Sequence, residues 1–190
     1  MLDFTRPGPR RWRVACRPRK TARMPAAPVP QLPDPDVPGT MPALSATRVL
    51  FIDIDGVLHP AREPGSVGPS DTFTRVGHFG WLAGLAELLR PYPDVAVVVH
   101  SSWRLAYSVD ELREMLFELG ERPIAVTPPG ERCASVLAWL RGRPEASYRI
   151  LDDEASEFPQ PPPAELIVCD PKLGVSGESV REALASWLDG

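Results

Sequence analysis

Arg48-Val49-Leu50-Phe51-Ile52-Asp53-Ile54-Asp55-Gly56-Val57-Leu58-His59 is the stretch on whose reading the fold depends. Val, Phe and Ile between Arg48 and Asp53 favour a buried strand. Such a strand excludes charge, yet this one runs straight into two carboxylates spaced i, i+2, with a glycine directly after. Two like charges held side by side away from water are costly unless a cation or a proton neutralises them. Gly56 marks the point where the chain leaves the strand and turns sharply. An acidic pair at the C-terminal end of a buried strand is where an open α/β sheet carries its ligand site.

Working outward, the same pattern recurs. Pro60–Gly80 is rich in proline, glycine and serine and has no period, which predicts a loop long enough to be functional. Trp81, Leu82, Leu85, Leu88 and Leu89 have helical spacing, and the segment stops at Pro91. Asp94–His100, with Val95, Val97, Val98 and Val99, reads as a strand buried on both faces and ends in Ser101-Ser102-Trp103-Arg104. Ser108-Val109-Asp110-Glu111 is a capping box opening a helix through Leu119, closed by Gly120. Pro123–Thr127 is a short strand, and Glu131–Arg141 is a helix with Val136, Leu137 and Leu140 on one face. Tyr148–Leu151 is a strand ending in Asp152-Asp153-Glu154, and Leu166–Cys169 is a fifth ending in Asp170. A helix from Ser176 to Leu188, with Val180, Leu184, Trp187 and Leu188 inward, completes the series. Alternating strands and helices predict a three-layer, Rossmann-like α/β fold with a parallel sheet of about five strands. In such a sheet Asp53, Asp55, Ser101, Ser102, Asp152, Asp153 and Asp170 share one edge.

The flanks differ in composition from this region. Residues 1–24 carry eight of the 21 Lys and Arg against one acid, Asp3, and residues 25–42 hold a proline at nearly every third position. Neither has apolar periodicity, so 1–44 is expected to be a disordered tail, basic and then proline-rich, preceding a domain at 45–190. The basic part suits nucleic acid or another acidic surface, and it faintly resembles a transit peptide. An extension without function, with Met24 or Met41 as the true start, is the plainer reading. Residues 45–190 carry an acidic excess, which disfavours broad adhesion of the domain to nucleic acid. Hydrophobic content of 43% supports a real core, and no run of 18 or more apolar residues suggests a membrane span. Cys16, Cys133 and Cys169 are odd in number and widely spaced, so they read as reduced thiols in a cytoplasmic protein.

Several carboxylates on one edge, with no paired His or Cys, point to a hard cation with oxygen ligands, namely magnesium. A metal held in this way usually handles phosphate. Ser101 offers a hydroxyl at the neighbouring strand end, and Arg104 or Arg132 offers charge for phosphate oxygens. Asp53 is then placed as a nucleophile and Asp55 as the proton donor and acceptor.

In their order along the chain, four features resemble the motifs of the haloacid dehalogenase (HAD) superfamily: the apolar strand ending in Asp53-x-Asp55-Gly56-Val57, the strand ending in Ser101, a basic residue opening a helix, and Leu151-Asp152-Asp153-Glu154. The resemblance covers about Val49 to Leu188. Together with Leu58-His59-Pro60 and Ser101-Ser102-Trp103-Arg104, it is closest to a small subgroup associated with nucleic-acid repair proteins. The resemblance implies that Asp53 is the nucleophile and a metal ligand. It implies that Asp55 is the general acid/base, with a backbone carbonyl on magnesium, and that Ser101 binds phosphate. Asp152 and Asp153 match the acidic fourth motif, with Asp153 the direct ligand. Where most members carry lysine, this chain has Arg132, which keeps the charge but not the shape. The intervals after the first and third motifs have no room for an inserted cap domain, and in this superfamily an open, capless site goes with large substrates.

The expectation is therefore a magnesium-dependent phosphohydrolase acting through an aspartyl-phosphate, on a bulky or nucleic-acid-derived phosphomonoester. A catalytically weak phosphate-binding or repair-accessory module is the alternative. Ser102 is an alternate for Ser101, and a small phosphate ester would need the Pro60–Gly80 loop to act as a lid. Trp103 and Arg104 either line the site or belong to the core. His59 and His100 flank it, with a structural or substrate-contact role favoured over assistance in proton transfer, Asp170 supports the edge, and Ser176 caps the last helix.

Overall fold

The computed structural model describes residues 48–61, 79–122, 124–141, 143 and 146–190. The expectations for the tail at 1–44 and for most of the Pro60–Gly80 loop fall outside these residues.

Five strands are present: β1 (Arg48–Ile52), β2 (Val95–Val99), β3 (Ile124–Val126), β4 (Ser147–Asp152) and β5 (Leu166–Val168). All pair in parallel, in the order β3-β2-β1-β4-β5. The helices are α1 (Leu82–Leu89), α2 (Val109–Met115), α3 (Arg132–Leu140) and α4 (Glu178–Asp189). Alternation along the strands assigns their two faces. Leu50, Ile52, Val97 and Val99 pack with Leu85, Leu112 and Leu184 of α1, α2 and α4. Val49, Phe51, Val98 and Ile150 pack with Val136 and Trp139 of α3. Three layers result, as the alternation predicts. Phe51 meets the Trp139 ring edge-on, with centroids 5.4 Å apart. Leu50, Phe51 and Ile52 are each 0% exposed, and full burial of such side chains contributes about 1.5–3 kcal/mol apiece.

Two helix boundaries differ from expectation. The helix after Ser108 ends at Met115, and a separate 3-10 turn follows at Phe117–Leu119. Tightening to three residues per turn stacks buried Leu119 over buried Leu116, which a continued α-helix would offset. The last helix begins at Glu178 behind Gly177, and Ser176 is not its cap. Ser176 lies in a preceding 3-10 turn, where its hydroxyl donates to the Leu173 carbonyl instead. The capping box at Ser108 and Glu111 is present.

Register matters most for the site. Ile52 pairs with Val99 on one side and Leu151 on the other, so the next residues, Asp53, His100 and Asp152, arrive side by side. The ladder continues through the Asp53 N–H to the Leu151 carbonyl (3.0 Å) and the His100 N–H to the Ile52 carbonyl (3.0 Å). The chain order reverses between β1 and β4, and the crevice at such a switch point is where open α/β sheets bind ligands. Among the described residues, α1 is the only helix between β1 and β2, and α3 the only one between β3 and β4. Neither interval shows an inserted domain there.

Candidate active site

Immediately after β1 the chain coils through one tight turn, with the Leu58 N–H bonded to the Ile54 carbonyl (2.9 Å) and the Gly56 N–H to the His59 carbonyl (2.8 Å). Asp53 stays at the strand end, 1% exposed, where its Oδ1 accepts from the Ile54 N–H (2.8 Å). Asp152 ends β4 at 0% exposure, and its Oδ1 accepts from the Glu154 N–H (2.8 Å). Asp53, Asp152 and Asp153 offer oxygens that all lie within 4.8 Å of one another.

Arg132, at the start of α3, closes this group. Its Nη1 donates to Asp53 Oδ2 (2.5 Å) and to Asp152 Oδ1 (2.6 Å). Burial pulls the Arg132 pKa down, but the two carboxylates outweigh it and hold it above its ordinary value. Ionised, three carboxylates and one guanidinium leave two formal negative charges, the complement of a divalent cation. Asp152 Oδ2 is buried and has no hydrogen-bond partner among the described residues. An all-oxygen donor set with an unmet buried oxygen fits a hard cation. Burial, and then the Asp53 charge, push Asp152 up to about 7 against the pull of Arg132. The same two causes raise Asp153. The cluster therefore competes for a proton when no metal satisfies it.

Gly56 has a role that its reading as a turn residue missed. Its φ is +72°, and a Cβ built there would stand 2.2 Å from Asp153 Oδ2 and 2.4 Å from its Cγ. The missing side chain is the space Asp153 occupies. Gly56→Ala is expected to cost about 2 kcal/mol through backbone strain and to turn Asp153 away from its two partners. Unfolding in urea, together with calorimetric titration of Mg2+, checks this. Wild-type cation affinity in that variant would contradict the packing described.

The Asp55 carboxylate lies outside the acidic group and has its own partners. Its Oδ2 accepts from Trp103 Nε1 (2.8 Å), and its Oδ1 is 3.2 Å from His59 Nε2. Trp103 is thus both core, at 4% exposure, and a direct contact of a candidate residue. That contact was not legible in the sequence, because it joins the turn after β1 to the 3-10 turn Ser102–Leu105 after β2.

Ser101 is buried one step past His100, and its Oγ accepts from the Trp103 N–H (3.4 Å). Ser102 opens the 3-10 turn with its side chain exposed, so burial separates two serines that spacing did not. Arg104, expected as one of two arginines for phosphate, is committed to backbone. Its guanidinium donates to the carbonyls of His100, Ser101 (2.7 Å) and Gly130 (2.8 Å), tying the Ser101 loop to the segment before Arg132. His100 is 0% exposed, with Nε2 3.2 Å from the Leu151 carbonyl and Nδ1 3.6 Å from Asp152 Oδ2. Burial lowers its pKa to about 4, so it is neutral at physiological pH. Asp170 is exposed and holds the turn after β5 through the Lys172 N–H (2.8 Å).

A protein family described as the HAD domain in Swiss Army Knife RNA repair proteins matches residues 49–180. No curated protein and no solved structure matches the chain. Among the described residues, no helix is long and apolar enough to cross a membrane.

Proposed function

The chain belongs to the family of HAD domains in Swiss Army Knife RNA repair proteins, and on that premise we propose that it is a magnesium-dependent phosphohydrolase working through an aspartyl-phosphate on Asp53. The observation that carries this reading is the cluster of Asp53, Asp152 and Asp153, bridged by Arg132 at the switch point of the sheet. Asp53, Asp152 and Asp153 would hold the cation, which would offset their charge and that of the phosphate. The backbone of Asp55 is the remaining ligand implied by the family resemblance.

In the first step an Asp53 oxygen forms a bond to phosphorus while the bond to the leaving oxygen breaks. That oxygen takes the electron pair and a proton from the Asp55 carboxyl. In the second step water attacks the phosphorus, Asp55 takes its proton, and Asp53 departs as a carboxylate with release of inorganic phosphate. Ser101 and Arg132 bind the phosphoryl oxygens, with Ser102 a substrate contact at the rim. A bulky phosphomonoester, such as a nucleic-acid end, is the substrate class favoured by the family and by the lack of an inserted domain among the described residues. The basic residues from Arg6 to Arg23 suit such a partner. A phosphatase screen over nucleotides, 3′- and 5′-phosphorylated oligonucleotides and phosphopeptides tests the proposal. Phosphate release on the oligonucleotides that stops in EDTA is the expected result.

One observation favours a second reading, a phosphate-binding module with little turnover: Arg132 already spans two of the three carboxylates. A wild-type chain that binds phosphate in a magnesium-dependent way yet hydrolyses nothing would establish it.

The acidic cluster also fixes a pH dependence. Asp152 titrates at about 7 in the fold against an ordinary value of 3.8. Between those values the folded chain holds a proton that the unfolded chain has lost, so this contribution to stability falls as pH rises toward 7. His100, lowered to about 4, acts in the opposite sense below its ordinary 6.5. Only the first proton stands in the way of a cation. The rise in melting temperature on adding Mg2+ is therefore expected to be larger at pH 8 than at pH 6. A rise equal at both would show that Asp152 binds the metal without losing a proton.

A further inference from the structure

We infer that Trp103 is a positioning residue for proton transfer, its indole aiming the Asp55 carboxylate from the same turn whose backbone holds Ser101. The inference rests on the reading of Asp55 as the proton carrier. Two hydrogen bonds carry it. The Trp103 N–H donates to Ser101 Oγ (3.4 Å), and its indole Nε1–H donates to Asp55 Oδ2 (2.8 Å). An indole N–H only donates and carries no charge, so it fixes the plane of a carboxylate without forming an ion pair. His59 Nε2 stands 3.2 Å from the other oxygen, Oδ1. The two oxygens of Asp55 thus each have their own neighbour.

The indole itself is held. Its ring lies 5.7 Å from that of Phe79 and 5.4 Å from that of Tyr107, and the His59 ring stacks on Phe79 at 5.7 Å. These residues come from the turn after β1, the approach to α1 and the turn after β2, which ties three separate segments around one carboxylate. The turn is itself fixed, because the Ala106 and Tyr107 N–H groups both donate to the Trp103 carbonyl (3.0 Å each) and Arg104 pins the preceding carbonyls of His100 and Ser101. Misplacing a reacting group by about 1 Å costs on the order of 100-fold in rate, so a fixed carboxylate is worth this apparatus. The Trp103 side chain acts through Asp55, whereas the bond to Ser101 comes from the backbone and survives substitution.

The test uses the leaving group as its readout. kcat/KM reports the steps through departure of the leaving oxygen, so hydrolysis of the aspartyl-phosphate, common to all substrates, does not enter. 4-Nitrophenolate leaves without needing a proton, whereas the alkoxide of β-glycerophosphate requires one. With the full chain and Mg2+, Trp103→Phe is expected to lower kcat/KM for β-glycerophosphate by about 100-fold and for 4-nitrophenyl phosphate by less than about threefold. Equal losses on the two substrates, or no loss on either, overturn the inference while leaving the phosphatase reading intact. A wild-type chain inert on both substrates and on phosphorylated oligonucleotides removes that reading, and this inference with it. Circular dichroism establishes that the variant folds. If it does not, the benzothiophene analogue of tryptophan at position 103, which replaces N–H by sulfur at similar volume, is measured with the same two outcomes.

Discussion

Asp53→Asn folds and does not turn over: phosphate release falls by at least about 1,000-fold. An amide is no nucleophile at phosphorus, and the remaining carboxylates have other parts in the proposed reaction, Asp55 as the proton carrier bonded to Trp103 and Asp152 and Asp153 as ligands of the cation. Stability should change little. The asparagine carbonyl still accepts from the Ile54 N–H, as Asp53 Oδ1 does now at 2.8 Å. Loss of the Arg132 contact is offset by removal of one like charge from the cluster. With that charge gone, one of the two causes holding Asp152 near 7 disappears, so its titration moves toward the ordinary carboxylate range. Phosphate release and thermal unfolding, measured side by side, check both halves. A variant that keeps full activity would eliminate the aspartyl-phosphate route.

Arg132→Met should be nearly as damaging, for a different reason. Nη1 is a donor to both buried oxygens, and the side chain is only 25% exposed against 2% for Asp53 and 0% for Asp152. Removing it leaves two buried carboxylates facing each other, a loss of about 3 kcal/mol by analogy with broken buried ion pairs, plus the charge aimed at phosphate. Activity is expected to fall by about 100-fold or more. The stability loss should shrink when Mg2+ is added, since a bound cation supplies the missing charge. Arg132→Lys separates charge from shape. One ammonium reaching both oxygens would keep most of the activity and stability, whereas a requirement for the guanidinium fork would leave the variant as poor as methionine. Unfolding in urea with and without Mg2+, and kcat/KM for each variant, decide between the two.

The legibility of this protein was uneven for physical reasons. Strands β1 and β2 were plain because both their faces are buried, so apolar residues run without interruption. The capping box announced α2, because reciprocal hydrogen bonds require Ser and Glu three residues apart. The end of α2 was not announced. It depends on where Leu116 and Leu119 find space in the core, which is a property of other elements. The wrong cap at Ser176 has the same origin. Asp170 opens a turn that carries the chain through Gly174–Ser176 before α4 begins, and the Ser176 hydroxyl is spent within that turn.

The residues themselves determined the chemistry on offer. Asp53-Ile54-Asp55 after an apolar strand requires neutralisation, and Asp152-Asp153 after another strand supplies the same need at the same edge. Local sequence carries that much, because burial of a strand and the cost of charge beside it are short-range facts. Which charge meets which was decided only in three dimensions. Parallel register set Asp53 beside Asp152 across a gap of about a hundred positions. The start of α3 put Arg132 between them, and packing chose it over Arg104, whose guanidinium the backbone consumed. The same packing divided the opening pair of carboxylates, Asp53 to the acidic cluster and Asp55 to the indole of Trp103. Directional contacts between distant segments depend on register and rotamer, and neither is written in a run of neighbouring residues.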